Sequence, residues 1–249
     1  MILRLTVGAV LVAGLLSLNA VSTAQPKAAP LSKADKAKAK KALQELQEYI
    51  GQWNVEGLQK AGGRTEAWKE KIEWSWKFDK EDKDNAWIVL KIEKGKYFSG
   101  GEIKYLPAKK KYELTLTPAA GKSPPQTLEG DLIRGTITFL GTDKATGDVT
   151  RIKINTAAEG IRYLALIEKQ DKGKGPFTEV YKQNGTKEGE SFAAGAKKPE
   201  CIVTGGAATI AVSYMGKTYY VCCSGCRDEF NANPAKIVAE YEKKLKAGK

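Results

Sequence analysis

The stretch Lys71-Ile72-Glu73-Trp74-Ser75-Trp76-Lys77-Phe78 alternates without a break, with Ile72, Trp74, Trp76 and Phe78 on one face and Lys71, Glu73, Ser75 and Lys77 on the other. A period of two belongs to extended backbone, in which successive side chains point to opposite faces; a helix would place its apolar residues three and four apart. The stretch reads as a β-strand, and the text around it has the same texture.

From Gly51 to about Asn184, short apolar alternations are broken by Gly, Pro, Asp and Asn. Besides the strand at Trp74, runs occur at 53–58, 86–93, 96–106, 111–117, 127–133, 136–140, 148–155, 161–169 and 177–183. About ten successive strands with short joins and no intervening helix predict an up-and-down antiparallel barrel or a sandwich. A helix is expected before them, from Lys33 to about Tyr49, with Ser32 as N-cap and Leu43, Leu46 and Ile50 at helical spacing.

That helix is followed by Gly51-Gln52-Trp53 at the first strand, which resembles the opening of lipocalin-like barrels over residues 40–190. The resemblance implies a closed barrel whose interior has room for one small apolar ligand or is filled by side chains. Trp74, Trp76, Trp87 and Tyr105 are the candidates to line such a pocket, and ordinary core is the competing reading of the same aromatics.

All four cysteines fall in one later segment, at 201, 222, 223 and 226. Cys201 precedes an alternating run, Ile210 to Tyr214, and Cys222 follows a second, Tyr219-Tyr220-Val221, across a Met215-Gly216-Lys217 turn. An antiparallel hairpin brings both ends to one place, and Cys226, one turn into an expected helix, faces the same point. Clustered thiolates are soft donors suited to zinc, copper(I) or an iron–sulfur unit.

The spacing Cys201-x20-Cys222-x3-Cys226, with Tyr214-x-Gly216-Lys217-x-Tyr219-Tyr220 before the second cluster and Phe230-x-x-Asn233-Pro234 after it, resembles the TRASH/YHS metal-binding module over residues 199–245. The resemblance implies Cys201, Cys222 and Cys226 as ligands of a metal ion, zinc or copper(I). Two departures stand out: modules of this family often carry a histidine and this chain has none, and Cys223 sits where many relatives have serine. Cys223 is a candidate fourth ligand. The alternative for an even number of cysteines is disulfides, although pairing two within Cys222–Cys226 would strain the bridge.

The absence of histidine removes Ser-His-Asp and Cys-His catalysis and histidine-ligated metals together. A formal charge of +12, from 41 basic and 29 acidic side chains, invites a nucleic-acid reading. The lysines are nonetheless scattered through strands and turns, as on a solvated surface, so no nucleic-acid partner is expected.

Met1 to Ala24 has Arg4, an apolar run from Leu5 to Leu18 and the small-residue site Ser22-Thr23-Ala24, the pattern of a secretory signal peptide. The run is short of the roughly 20 residues that span a bilayer. The expectation is an exported protein, periplasmic or secreted, with no transmembrane segment after cleavage.

The organisation predicted is signal peptide 1–24, linker and helix 25–50, antiparallel barrel 51–187, linker 188–199 and a small α+β metal-binding module 200–249. The function predicted is metal binding through cysteine thiolates rather than catalysis, with a scaffolding or carrier barrel. A structural zinc or disulfide module and, with Cys223 and Cys226 two residues apart, a thiol oxidoreductase are the alternatives.

Overall fold

A computed structural model describes residues 31–119, 124–189 and 199–247. The expected signal peptide and most of the expected 188–199 linker lie outside the described residues. Ten strands follow one another: β1 (Gly51–Ala61), β2 (Arg64–Phe78), β3 (Ala86–Glu93), β4 (Phe98–Leu106), β5 (Lys111–Pro118), β6 (Gln126–Ile133), β7 (Thr136–Thr142), β8 (Val149–Ala157), β9 (Arg162–Gln170) and β10 (Thr178–Lys187). Each pairs antiparallel with its chain neighbours, and β1 pairs with β10 through Trp53↔Lys187 to Leu58↔Lys182, so the sheet closes on itself. The alternative of a sandwich is thereby settled in favour of a barrel.

Closure follows from the inner faces. Trp53 and Val55 of β1, Ile72, Trp74 and Trp76 of β2, and Ile137 and Phe139 of β7 are all buried, while their neighbours along each strand are partly or fully exposed except Ser75, which is buried where α2 covers β2. A closed barrel buries one face of every strand and leaves no long free edge. Strand β2 starts seven residues before the alternating stretch because Arg64–Glu70 pairs with β1 across the Gly62-Gly63 turn, where both glycines have positive φ. Those residues are mostly solvated and lack the apolar alternation that marks Ile72–Phe78.

One end of the barrel is stoppered by the helix that precedes it. Helix α1 (Lys33–Gln44) begins at Ser32, whose side chain accepts the Asp35 N–H, and runs into a 3₁₀ turn at Gln47–Tyr49. Leu43, Leu46, Tyr49 and Ile50 are buried against the barrel. Three directional contacts fix the stopper: Tyr49 Oη lies 2.8 Å from the Gly135 carbonyl, Trp53 Nε1 donates to the Tyr49 carbonyl at 2.8 Å, and Tyr112 Oη donates to the Ala42 carbonyl at 2.8 Å. The Tyr49 ring stacks on Trp74, with centroids 5.1 Å apart.

The other end is lined by Trp68, Tyr97 and Tyr181, with ring centroids 4.6–5.7 Å apart. Beneath them lies a buried carboxylate, Glu70, which accepts hydrogen bonds from Gln183 Nε2 and, at 3.2 Å, from Trp68 Nε1. A buried charge is costly unless hydrogen-bonded, and these donors offset only part of that cost.

After the barrel, β11 (Ile210–Tyr214) and β12 (Lys217–Val221) form a hairpin whose two-residue turn, Met215-Gly216, has positive φ at both positions. That is the turn whose twist matches flanking strands. Helix α2 (Ser224–Ala232) follows, and after Asn233 the chain resumes as α3 (Pro234–Ala247), which buries Val238 and leaves Leu245 exposed.

Burial raises the Glu70 pKa above its ordinary value, so the folded protein holds that proton more tightly than the unfolded chain does. The resulting stability is complete below the ordinary carboxyl range and is lost as pH rises through the raised pKa. Glu70→Gln removes that loss. Paired thermal melts from about pH 4 to about pH 8 should show the variant gaining on the parent as pH rises; a constant difference would mean that Glu70 does not titrate with folding.

Candidate metal centre

The hairpin and α2 bring the cysteines together as the spacing predicts. The thiols of Cys201, Cys222 and Cys226 all lie within 4.8 Å of one another, and all three residues are buried. The Cys222 and Cys226 sulfurs are 3.5 Å apart. Donors held at about 2.3 Å from a tetrahedral zinc are separated by about 3.8 Å, so the trio has the dimensions of three corners of such a site. All four cysteines are free thiols, and a disulfide would require a sulfur–sulfur distance of about 2.05 Å.

Each corner has its own support. Cys201 sits at the mouth of a loop that folds back on itself, with the Cys201 N–H donating to the Gly206 carbonyl at 2.6 Å and the Gly205 N–H to the Cys201 carbonyl at 2.8 Å. Gly205, at φ +80°, makes the reversal possible. The loop is tied to the hairpin by Ile202 N–H→Tyr220 O at 3.0 Å and to α1 by Gln44 Nε2→Thr204 O at 2.9 Å. Cys222 follows β12, and Cys226 lies in the first turn of α2.

Cys223 does something else. It occupies the N-cap position of α2 without a side-chain capping bond, and its sulfur accepts the backbone N–H of Trp76 at 3.4 Å while lying 3.9 Å from the Cys222 sulfur. It stands beside the trio rather than within it. The reason is the length of β2, which pairs with β1 only as far as Gly51↔Trp74 but continues along β3 to Phe78↔Ala86. Beyond Trp74 the backbone of β2 faces no strand on its β1 side, and α2 covers it there. Gly225 fits the contact because a Cβ at that position would stand 1.6 Å from the Trp76 carbonyl oxygen. Ser224 Oγ donates to Glu73 at 2.5 Å and Lys83 pairs with Glu229 at 2.6 Å, one on each side of this junction.

The thiols titrate as a set. Cys201 is raised and Cys222 lowered, each first through the other's thiol; Cys223 is lowered to about 4, first by the Cys222 thiol and then by Cys226; Cys226 is raised well above the ordinary range, chiefly by burial. Within the trio only Cys222 is shifted toward the thiolate, and the strongest lowering falls on Cys223 beside it.

Sequence reasoning missed Thr204, whose hydroxyl lies 3.5 Å from the Cys222 sulfur, together with Gln44, Gly225 and the Trp76 backbone. The aromatics suggested as pocket lining divide: Trp74 and Trp76 are buried in the barrel, whereas Trp87 and Tyr105 are only partly buried. The indole N–H groups of Trp74, Trp76 and Trp87 are buried without a hydrogen-bond partner among the described residues.

No family model matches the chain, and no curated protein matches it. Among solved structures it is similar to Rv2717c from M. tuberculosis, at 12% identity and TM-score 0.38 over 59% of this chain and 97% of that one. It is also similar to an S-type phycobiliprotein lyase from Guillardia theta, at 9% identity and TM-score 0.40 over 65% of this chain and all of that one.

Gly225→Ala should lift α2 from β2, since neither the Trp76 backbone nor the helix can yield without breaking the junction. Overpacking of this kind costs about 1–3 kcal/mol. A lowered melting temperature, with faster proteolysis C-terminal to residue 199, is the expected result; an unchanged melt would show that the junction contributes nothing.

Proposed function

We propose that the protein is an exported, non-catalytic metal-binding protein that holds zinc or copper(I) through the thiolates of Cys201, Cys222 and Cys226, with a TRASH/YHS-like module seated on a barrel scaffold. The observation that carries this reading is the trio itself: three free, buried thiols within 4.8 Å of one another, on three separately supported pieces of backbone. Export rests on the sequence pattern of residues 1–24. The non-catalytic reading rests on the lack of histidine and on a barrel without cysteine.

Three thiolates leave a fourth corner. Cys223 is near enough to supply it only by giving up the Trp76 N–H. Water or an exogenous ligand fills it otherwise, and such a site exchanges its metal more readily than a closed four-thiolate site does.

Protein purified under reducing conditions should carry close to one metal per chain by elemental analysis, with thiols titratable only after chelation or unfolding. Cys201→Ser, Cys222→Ser and Cys226→Ser should each remove most of the affinity, because a serine hydroxyl stays protonated near neutral pH and shares little density with a soft ion. Cys223→Ser should spare the metal and lower stability. A metal-free protein with no titratable thiols would sink the reading in favour of disulfides.

A second reading is favoured by the unpartnered indoles of Trp74 and Trp76, which would give a molecule inside the barrel two donors. On that reading the barrel also carries a small, largely apolar ligand. Titration with a fatty acid or a porphyrin should then change the fluorescence of the five tryptophans; no change would leave the barrel as scaffold.

A further inference from the structure

Between the stoppered end of the barrel and the hairpin lies a cleft of about 210 Å³ that reaches the thiol trio at a single point, Cys222. Cys222 is also the most exposed of the four cysteines, at 6% against 3% or less for the others. Three carboxylate side chains line the cleft, Glu48, Glu159 and Glu188, against one lining ammonium, Lys187, which is itself engaged with the Glu48 carbonyl at 3.0 Å; Glu188 also pairs with Lys71 at 3.4 Å and Glu48 accepts the Thr156 hydroxyl at 2.7 Å, so the excess of negative charge is about one. A lining with this acidic excess is unexpected in a chain of formal charge +12.

A second, independent feature points the same way. The side-chain oxygen of Gln47, which also lines the cleft, is buried with no hydrogen-bond partner among the described residues. An acceptor left without a donor costs free energy unless something electropositive visits it. Oxygen donors at the wall, carboxylates around it and a thiol at its inner end form a path of increasing softness, along which a hydrated cation can shed water stepwise before meeting sulfur.

We propose that this cleft is the exchange port of the thiol site: the cation enters and leaves past Glu48, Glu159, Glu188 and Gln47 and makes its first thiolate bond to Cys222. The proposal rests on the metal-binding reading above and adds its route. An anionic small molecule, such as a carboxylate-bearing thiol, is disfavoured by the same charges that draw a cation in.

The test is stopped-flow loading of the reduced full chain with Co(II), read by thiolate-to-metal charge-transfer absorption. In the parent the loading rate should fall as salt is raised, because attraction through a charged cleft is screened. Glu48→Gln/Glu159→Gln/Glu188→Gln should load on the order of tenfold more slowly and lose most of that salt dependence, with the absorption band intact. Ala207→Phe, which narrows the cleft without changing charge, should slow loading and release alike and leave the affinity unchanged; intact near-UV dichroism establishes that each variant is folded. If the parent gives no band, the metal reading itself fails, and the port with it. If the band forms but neither variant alters the rates, only the port is overturned.

Discussion

The backbone of β2 runs past the end of β1, and much of this structure follows from that offset. An extended strand whose outer edge has no partner leaves N–H and carbonyl groups that must be satisfied by something other than a ladder. At Trp76 the N–H goes to the sulfur of Cys223, and the carbonyl is closely approached by Gly225. Seating α2 on that edge fixes the direction of the helix, and with it the positions of Cys222 just before the helix and Cys226 one turn inside it. The thiol trio is thus built against the barrel, and its residues share one hydrophobic cluster with the barrel's own core.

Much of the fold was legible because its signals are local. Alternation marked all ten strands, the Met215-Gly216 pair marked the hairpin, and cysteine spacing brought Cys201, Cys222 and Cys226 to one point. What was not legible depends on register. The seven residues of β2 from Arg64 to Glu70 carry no apolar alternation, so their pairing with β1 is set by the Gly62-Gly63 turn and by neighbouring strands. The offset between β1 and β2 is a difference between two strand ends, and no single stretch records it. The role of Cys223 was illegible for the same reason: as text it is one more thiol in a cluster, and only the free edge of β2 turns it toward the barrel.

The two ends of the barrel are finished by different chemistry. At the α1 end, hydroxyl and indole donors reach backbone carbonyls, which gives the stopper one orientation. At the other, three aromatic rings surround a carboxylate that has exchanged water for an amide and an indole. The first arrangement is insensitive to pH, and the second is not. A rise of pH through the Glu70 pKa therefore acts on the barrel at the end remote from the cysteines.

The seam between β1 and β10 has a consequence for the order in which the protein becomes competent. Gly51 and Gln52 on one wall of the cleft belong to β1, whereas Lys187 closes β10 and Glu188 follows it, so the walls come from the two strands that meet across the longest sequence separation in the barrel. Contacts of that span carry the largest loop-closure cost and complete the topology. A chain that has not yet joined those strands already possesses every cysteine but has no passage leading to them. Joining β1 to β10 is therefore also the step that finishes the walls of the cleft beside Cys222.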